Sequence, residues 1–208
     1  MKVYALSDVY SEDPFKFIFE KINSINPKNI ILAGGETPIP LYANYFKSIA
    51  SKCVISDERI TAKKESKNQE NIMKYIPKLE YINFPNVDDI TDINKTQLQE
   101  SYIKYEGADL CILGMGLDGH YASIFPHMDI NYTCNKGMFI YCTNQITGEN
   151  RFSLTPSFLE QSQNIFFILK GNEKIEQLLT FLSNHDEGVP IVSFFKYNLA
   201  KITLFLIN

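Results

Sequence analysis

Arginine is nearly absent from this sequence: Arg59 and Arg151 stand against eighteen lysines. Lysine evidently serves wherever a generic surface cation suffices. The two arginines are therefore candidates for planar, two-pronged recognition of a phosphate or carboxylate. Positive charge as a whole is also short, since 20 Lys and Arg against 24 Asp and Glu leave a net charge of −4. No basic face is implied, and a nucleic-acid partner is not expected. No stretch approaches the ~20 apolar residues of a membrane span. The start, Met1 to Asp8, turns polar too soon for a signal peptide. A soluble cytoplasmic protein without membrane contact is expected. The four cysteines, Cys53, Cys111, Cys134 and Cys142, include no C-x-x-C pair. Buried free thiols in a reducing compartment are the expectation. The three histidines, His120, His127 and His185, lack ligand-like spacing, so no metal is expected. No cofactor is implied. No serine or cysteine lies in a nucleophile-elbow context.

What is present is alternation. The 208 residues provide ample length for a sizeable core, and one domain spanning 1–208 is expected. Phe15, Ile18, Phe19 and Ile22 recur at helical spacing within 13–25. Short apolar runs predict buried strands at 29–33, 53–56, 108–113, 165–169 and 202–206. Further strands are expected at 81–84 and 137–142. Helices are expected at 38–49, 68–76, 94–105, 155–162 and 172–182. Strands of four to six residues alternating with helices predict an α/β protein, an open, mostly parallel sheet with helices on both faces. In such sheets ligands bind beyond the carboxyl ends of the strands.

Four segments after predicted strands hold the chemistry. In Ala33-Gly34-Gly35-Glu36-Thr37-Pro38, two glycines permit close backbone approach to a ligand. Thr37 as N-cap and Pro38 at the first helical position would present N–H groups to an anion. Glu36 would repel a phosphate unless it points away. Ser56-Asp57-Glu58-Arg59 places two carboxylates and one arginine after the next strand. Gly114-Met115-Gly116-Leu117-Asp118-Gly119-His120 matches the dinucleotide pattern G-x-G-x-x-G. It lies mid-chain, however; Pro126 would interrupt the following helix, and no acidic residue closes the next strand. The loop delivers Asp118 and His120, and a histidine there can act as a general base near neutral pH. Last come Arg151-Phe152-Ser153-Leu154-Thr155, read as leading into a helix, and Gly171-Asn172-Glu173-Lys174. There a lysine in the first helical turn opposes the dipole unless an anion binds.

Taken together over roughly residues 30–180, these segments resemble the 6-phosphogluconolactonase family. That family is similar to the glucosamine-6-phosphate isomerase/deaminase group. The isomerases typically carry Asp-Glu-Tyr where this chain has Asp57-Glu58-Arg59. They typically carry a glutamate-bearing segment where it has Ser123-Ile124-Phe125-Pro126. Aldose ring opening needs such an acid/base group; water attack on a lactone does not. The family usually has Ser where Glu36 stands and Thr where Tyr121 stands. A proline-rich stretch usually precedes the second arginine, and here it is Asn144-Gln145-Ile146-Thr147-Gly148-Glu149-Asn150. The resemblance implies a Rossmann-like fold and hydrolysis of 6-phospho-D-glucono-1,5-lactone in the oxidative pentose phosphate pathway. The phosphate would be held by Arg59, Arg151, Lys174 and backbone near Gly34, Gly35 and Thr37. His120 would activate water, Asp118 or Asp57 would orient it, and amides near Gly116 would face the oxyanion. An isomerase/deaminase, or a non-catalytic sugar-phosphate binder, are the alternatives. A monomer or homodimer is expected.

Overall fold

Seven strands, in the order β1 (Lys2–Leu6), β10 (Ile202–Ile207), β9 (Asn164–Lys170), β6 (Leu110–Leu113), β2 (Asn29–Leu32), β3 (Lys52–Ile55) and β5 (Glu80–Tyr81), form one sheet in which every neighbouring pair runs parallel. The computed structural model describes residues 1–6, 13–48, 51–77, 80–81, 107–126, 128 and 138–208. Within them β4 spans Asp57–Arg59, β7 Phe139–Thr143 and β8 Asn150–Leu154. The helices are α1 Pro14–Ile25, α2 Ile39–Tyr45, α3 Asn68–Met73, α4 Pro156–Leu159, α5 Asn172–Asn184 and α6 Pro190–Asn198. The expected helix at 94–105 and most of the strand at 81–84 lie outside the described residues, as do Cys134 and His127.

Strand alternation shows how the layers stack. Successive side chains of a strand point to opposite faces. On β9, Phe166 meets Phe205 edge-on at 5.0 Å, and Phe205 in turn meets Phe17 of α1. Its neighbour Phe167 meets Phe195 of α6 at 5.0 Å. α1 thus covers one face and α6 the other. A strand buried on both faces reads as a continuous apolar run, and all four residues of β6 are buried. α1 starts where Asp13 accepts the Phe15 N–H at 2.9 Å, and Asn26 ends it in the left-handed conformation. Phe15, Ile18 and Ile22 form its buried stripe. Cys53 and Cys111 are free and buried, and burial drives both thiols well above their ordinary range. Burial likewise pushes the Cys142 thiol up to about 12.

A second sheet, β4-β8-β7, is antiparallel. Ser56 is the joint between the two sheets: its N–H donates to the Leu32 carbonyl, and its own carbonyl accepts from Leu154. Three sequence expectations change here. Asp57–Arg59 and Asn150–Leu154 are strands rather than loops, and α4 is a single turn. α2 begins at Ile39, one residue later than expected, and Pro38 at its N-cap makes no side-chain cap. Thr37 therefore sits in the turn before the helix, not at its cap.

Candidate active site

Because the sheet is parallel, the segments that follow β2, β3, β6 and β9 leave it along one edge, and these four strands are neighbours in the sheet. They surround a cavity of about 400 Å³, a size suited to a small metabolite. Its lining includes Gly34, Gly35, Glu36, Thr37, Asp57, Arg59, Asn68, Gly116, His120, Asn144, Arg151 and Lys174. Nine of the ten residues singled out from sequence therefore meet in one cavity. The tenth, Asp118, touches it through His120.

The His120–Asp118 pair is built by the glycine loop. Asp118 Oδ1 lies 2.5 Å from His120 Nδ1 and 3.2 Å from its backbone nitrogen. The imidazole also packs on the Phe125 ring at 4.9 Å. Gly116 makes room for the pair: a Cβ there would lie 2.1 Å from His120 Cε1 and 2.8 Å from Asp118 Oδ1. Gly119 closes the turn at φ +81°, and a Cβ there would strike Val189 at 2.1 Å. Two amides of this loop are already engaged. Gly116 N–H donates to the His120 carbonyl, and Gly119 N–H donates to the Gly116 carbonyl. The Gly116 and Gly119 amides thus shape the turn that carries the pair. In the loop after β2, by contrast, the N–H groups of Gly35 and Thr37 meet no acceptor among the described residues.

Among the described residues it is Asp118, and not Asp57, that is hydrogen-bonded to the His120 ring. Asp57 is buried; Ser56 Oγ donates to its Oδ1 at 2.8 Å, and Ser123 Oγ donates to its Oδ2 at 2.6 Å. Arg151 Nη1 stands 4.0 Å away. Burial pushes the Asp118 carboxyl up, but hydrogen bonds and charge from His120 outweigh it and hold the group below its usual range. A carboxyl with a depressed pKa stabilises the fold fully above its ordinary value and loses that contribution as pH falls through the depressed value. Asp118→Asn lacks the contribution. Its stability gap to the unmodified protein is expected to be smaller at about pH 3 than at about pH 6. With 36% of the Asp118 side chain exposed, the gap at the upper pH is under ~1 kcal/mol. Denaturant unfolding at both pH values checks this; a gap that widens toward acid contradicts it.

The two arginines face one another across the β4–β8 ladder, where Arg59 is directly paired with Arg151. Like charges directly opposite are unfavourable. Glu149 answers both: Arg151 Nη2 donates to its Oε2 at 2.7 Å, and Arg59 Nε lies 3.8 Å from the same oxygen. The Arg151 hydrogen bond, working against burial and aided by both cationic charges, lowers the Glu149 carboxyl below its usual range. Arg59 Nη1 donates to the Ser66 carbonyl at 2.7 Å. Among the described residues, its Nε and the Nε of Arg151 are buried without a hydrogen-bond partner. Buried guanidinium donors left in this state invite an anion.

Three features escaped sequence reasoning. Glu58 is buried and accepts from the N–H groups of Arg59, Asn68 and Gln69, holding the start of α3 against β4. Asn68 donates through Nδ2 to the Asp57 carbonyl at 2.8 Å and lines the cavity. Glu149 had no visible partner until the strand register placed it. Glu36 does line the cavity, as its position after β2 foreshadowed. Among the described residues, no three His, Cys, Asp or Glu side chains cluster to hold a metal ion. Within the same residues, no helix is long and apolar enough to cross a membrane.

Residues 6–198 match the family model described as glucosamine-6-phosphate isomerases/6-phosphogluconolactonase. The 6-phosphogluconolactonase of Thermotoga maritima is 29% identical over 98% of this chain and 97% of its own. That of Treponema pallidum is 36% identical over 83 residues, 40% of this chain and 34% of its own. The crystal structure of the Thermotoga maritima 6-phosphogluconolactonase superimposes with a TM-score of 0.72 at 24% identity, covering 99% of this chain and 98% of that one. By its sequence match, the chain belongs to the glucosamine-6-phosphate isomerase/6-phosphogluconolactonase family.

Proposed function

We propose that this protein hydrolyses 6-phospho-D-glucono-1,5-lactone to 6-phosphogluconate, the lactone-opening step of the oxidative pentose phosphate pathway. The observation that carries this reading is one cavity holding the Asp118–His120 pair together with Arg59, Arg151 and Lys174. The names of the curated relatives support it. So does the Ser123–Pro126 segment, which brings no carboxylate to the cavity for aldose ring opening. Ser123 instead hydrogen-bonds Asp57 and ties down the neighbouring carboxylate.

The phosphate sits between Arg59, Arg151 and Lys174, with the N–H groups of Gly35 and Thr37 completing its shell. That anchor turns the lactone carbonyl toward His120. Asp118 holds Nδ1, which leaves Nε2 to take a proton from water. The hydroxide adds to C1, and the carbonyl electrons move to oxygen. When the tetrahedral intermediate collapses, the bond from C1 to the ring oxygen breaks, and His120 returns its proton to that oxygen. No covalent enzyme intermediate is involved. Residues 1–208 act as one domain of this family, cytoplasmic, as a monomer or homodimer.

The test is turnover of the two candidate substrates. Lactone generated in situ disappears faster than its spontaneous hydrolysis, and glucosamine 6-phosphate releases no ammonia. Ammonia release without lactone loss would transfer the chain to the isomerase branch. Binding of either compound without turnover would make it a sugar-phosphate binder.

A further inference from the structure

Glu149 sits where a ligand anion would be drawn. Its Oε2 takes the Arg151 hydrogen bond at 2.7 Å and lies 3.8 Å from Arg59 Nε, so one carboxylate oxygen faces both guanidinium groups. The loop that presents it, between β7 and β8, is shaped by its own short-range contacts. Asn144 Oδ1 accepts from the N–H groups of Ile146 and Thr147, and Asn144 N–H donates to the Glu149 carbonyl at 2.9 Å. The Gly148 N–H donates back to the Asn144 carbonyl at 2.8 Å. Residues 145–148 are exposed. The Glu149 side chain is 40% exposed, whereas Arg151 is 12% exposed. The carboxylate can therefore leave toward water while the arginine stays in place.

We propose that Glu149 is a tethered counter-ion that competes with the substrate phosphate for Arg59 and Arg151, and so sets how tightly this protein holds anions. The proposal rests on the phosphate placement argued above. Without an anion, Glu149 relieves the repulsion of two arginines held opposite each other on adjoining strands. When a phosphate arrives, the carboxylate must swing out or share its donors. Either course lowers anion affinity, and a dianion gains more from the site than a monoanion. A carboxylate built in beside the cations favours strongly charged ligands by penalising weak ones.

The experiment measures binding of inorganic phosphate by calorimetry to the unmodified protein, to Glu149→Gln and to Glu149→Ala, with Arg151→Gln as the control. The glutamine keeps an acceptor for Arg151 and removes the charge. Phosphate is expected to bind both Glu149 variants about three- to tenfold more tightly, the effect of one partly exposed charge pair. The gain shrinks as salt is raised, and KM for the lactone falls in step. Weaker binding in both variants would mean that Glu149 merely positions the arginines, and would overturn the proposal. Unchanged binding would overturn it as well. If Arg151→Gln leaves phosphate affinity intact, the phosphate placement itself is wrong. If that control weakens binding and only the Glu149 result is absent, the placement stands and Glu149 alone is misassigned.

Discussion

His120→Ala is expected to lower kcat for lactone hydrolysis by about 10²- to 10⁴-fold, the range supplied by a positioned general base. The side chain is 28% exposed and lines the cavity, so its removal costs little packing. The loss should fall on kcat and leave KM nearly unchanged, because the phosphate anchors belong to other elements. Asp118 would be left without its imidazole partner but still half in water, which the fold tolerates. A variant that keeps within about tenfold of the original rate would remove His120 from the chemistry. Asp57 would not then be the natural substitute, since Ser56 and Ser123 already occupy its oxygens.

Arg151→Gln carries the second large effect, on the opposite parameter. Truncating a largely buried charge of this kind, if it holds the phosphate as proposed, costs about 2–3 kcal/mol, or roughly 30- to 150-fold in kcat/KM. The loss should appear in KM for the phosphorylated lactone and be nearly absent with unphosphorylated glucono-1,5-lactone. Arg151 also stands beside Asp57 and binds Glu149, so its variant must be shown to be folded by circular dichroism and thermal unfolding. Arg59→Gln provides the independent check from the facing strand. Equal losses on both lactones would mean that Arg151 supports the site's architecture and not the phosphate.

These two residues show what sequence could and could not disclose. The core strands β2, β3, β6, β9 and β10 were legible because a strand buried on both faces is a plain apolar run. Their parallel arrangement followed from the intervening helices, and with it the edge on which the loops gather. β1 was not legible: it lies at the sheet's edge, and three of its five residues are exposed. α6 was missed for the contrary reason, since seven of its nine residues are buried and no polar stripe marks a helical period. β4 and β8 are short, polar and paired across more than ninety residues of sequence. No local pattern announces such pairing. The rarity of arginine pointed to Arg59 and Arg151 individually, but their direct opposition and the carboxylate between them exist only in the register. The same holds for Asp118 and Asp57, which sequence could not rank as partners of His120.

In the proposed reaction a phosphate anchor and a histidine act on one bound molecule. Its most direct test is the kcat/KM of the unmodified protein for 6-phosphogluconolactone against that for unphosphorylated glucono-1,5-lactone, each corrected for spontaneous hydrolysis. A preference of at least about 10³-fold for the phosphorylated lactone is expected, the combined worth of two charge-assisted anchors. Equal rates on the two lactones, or no rate above background on either, would contradict it.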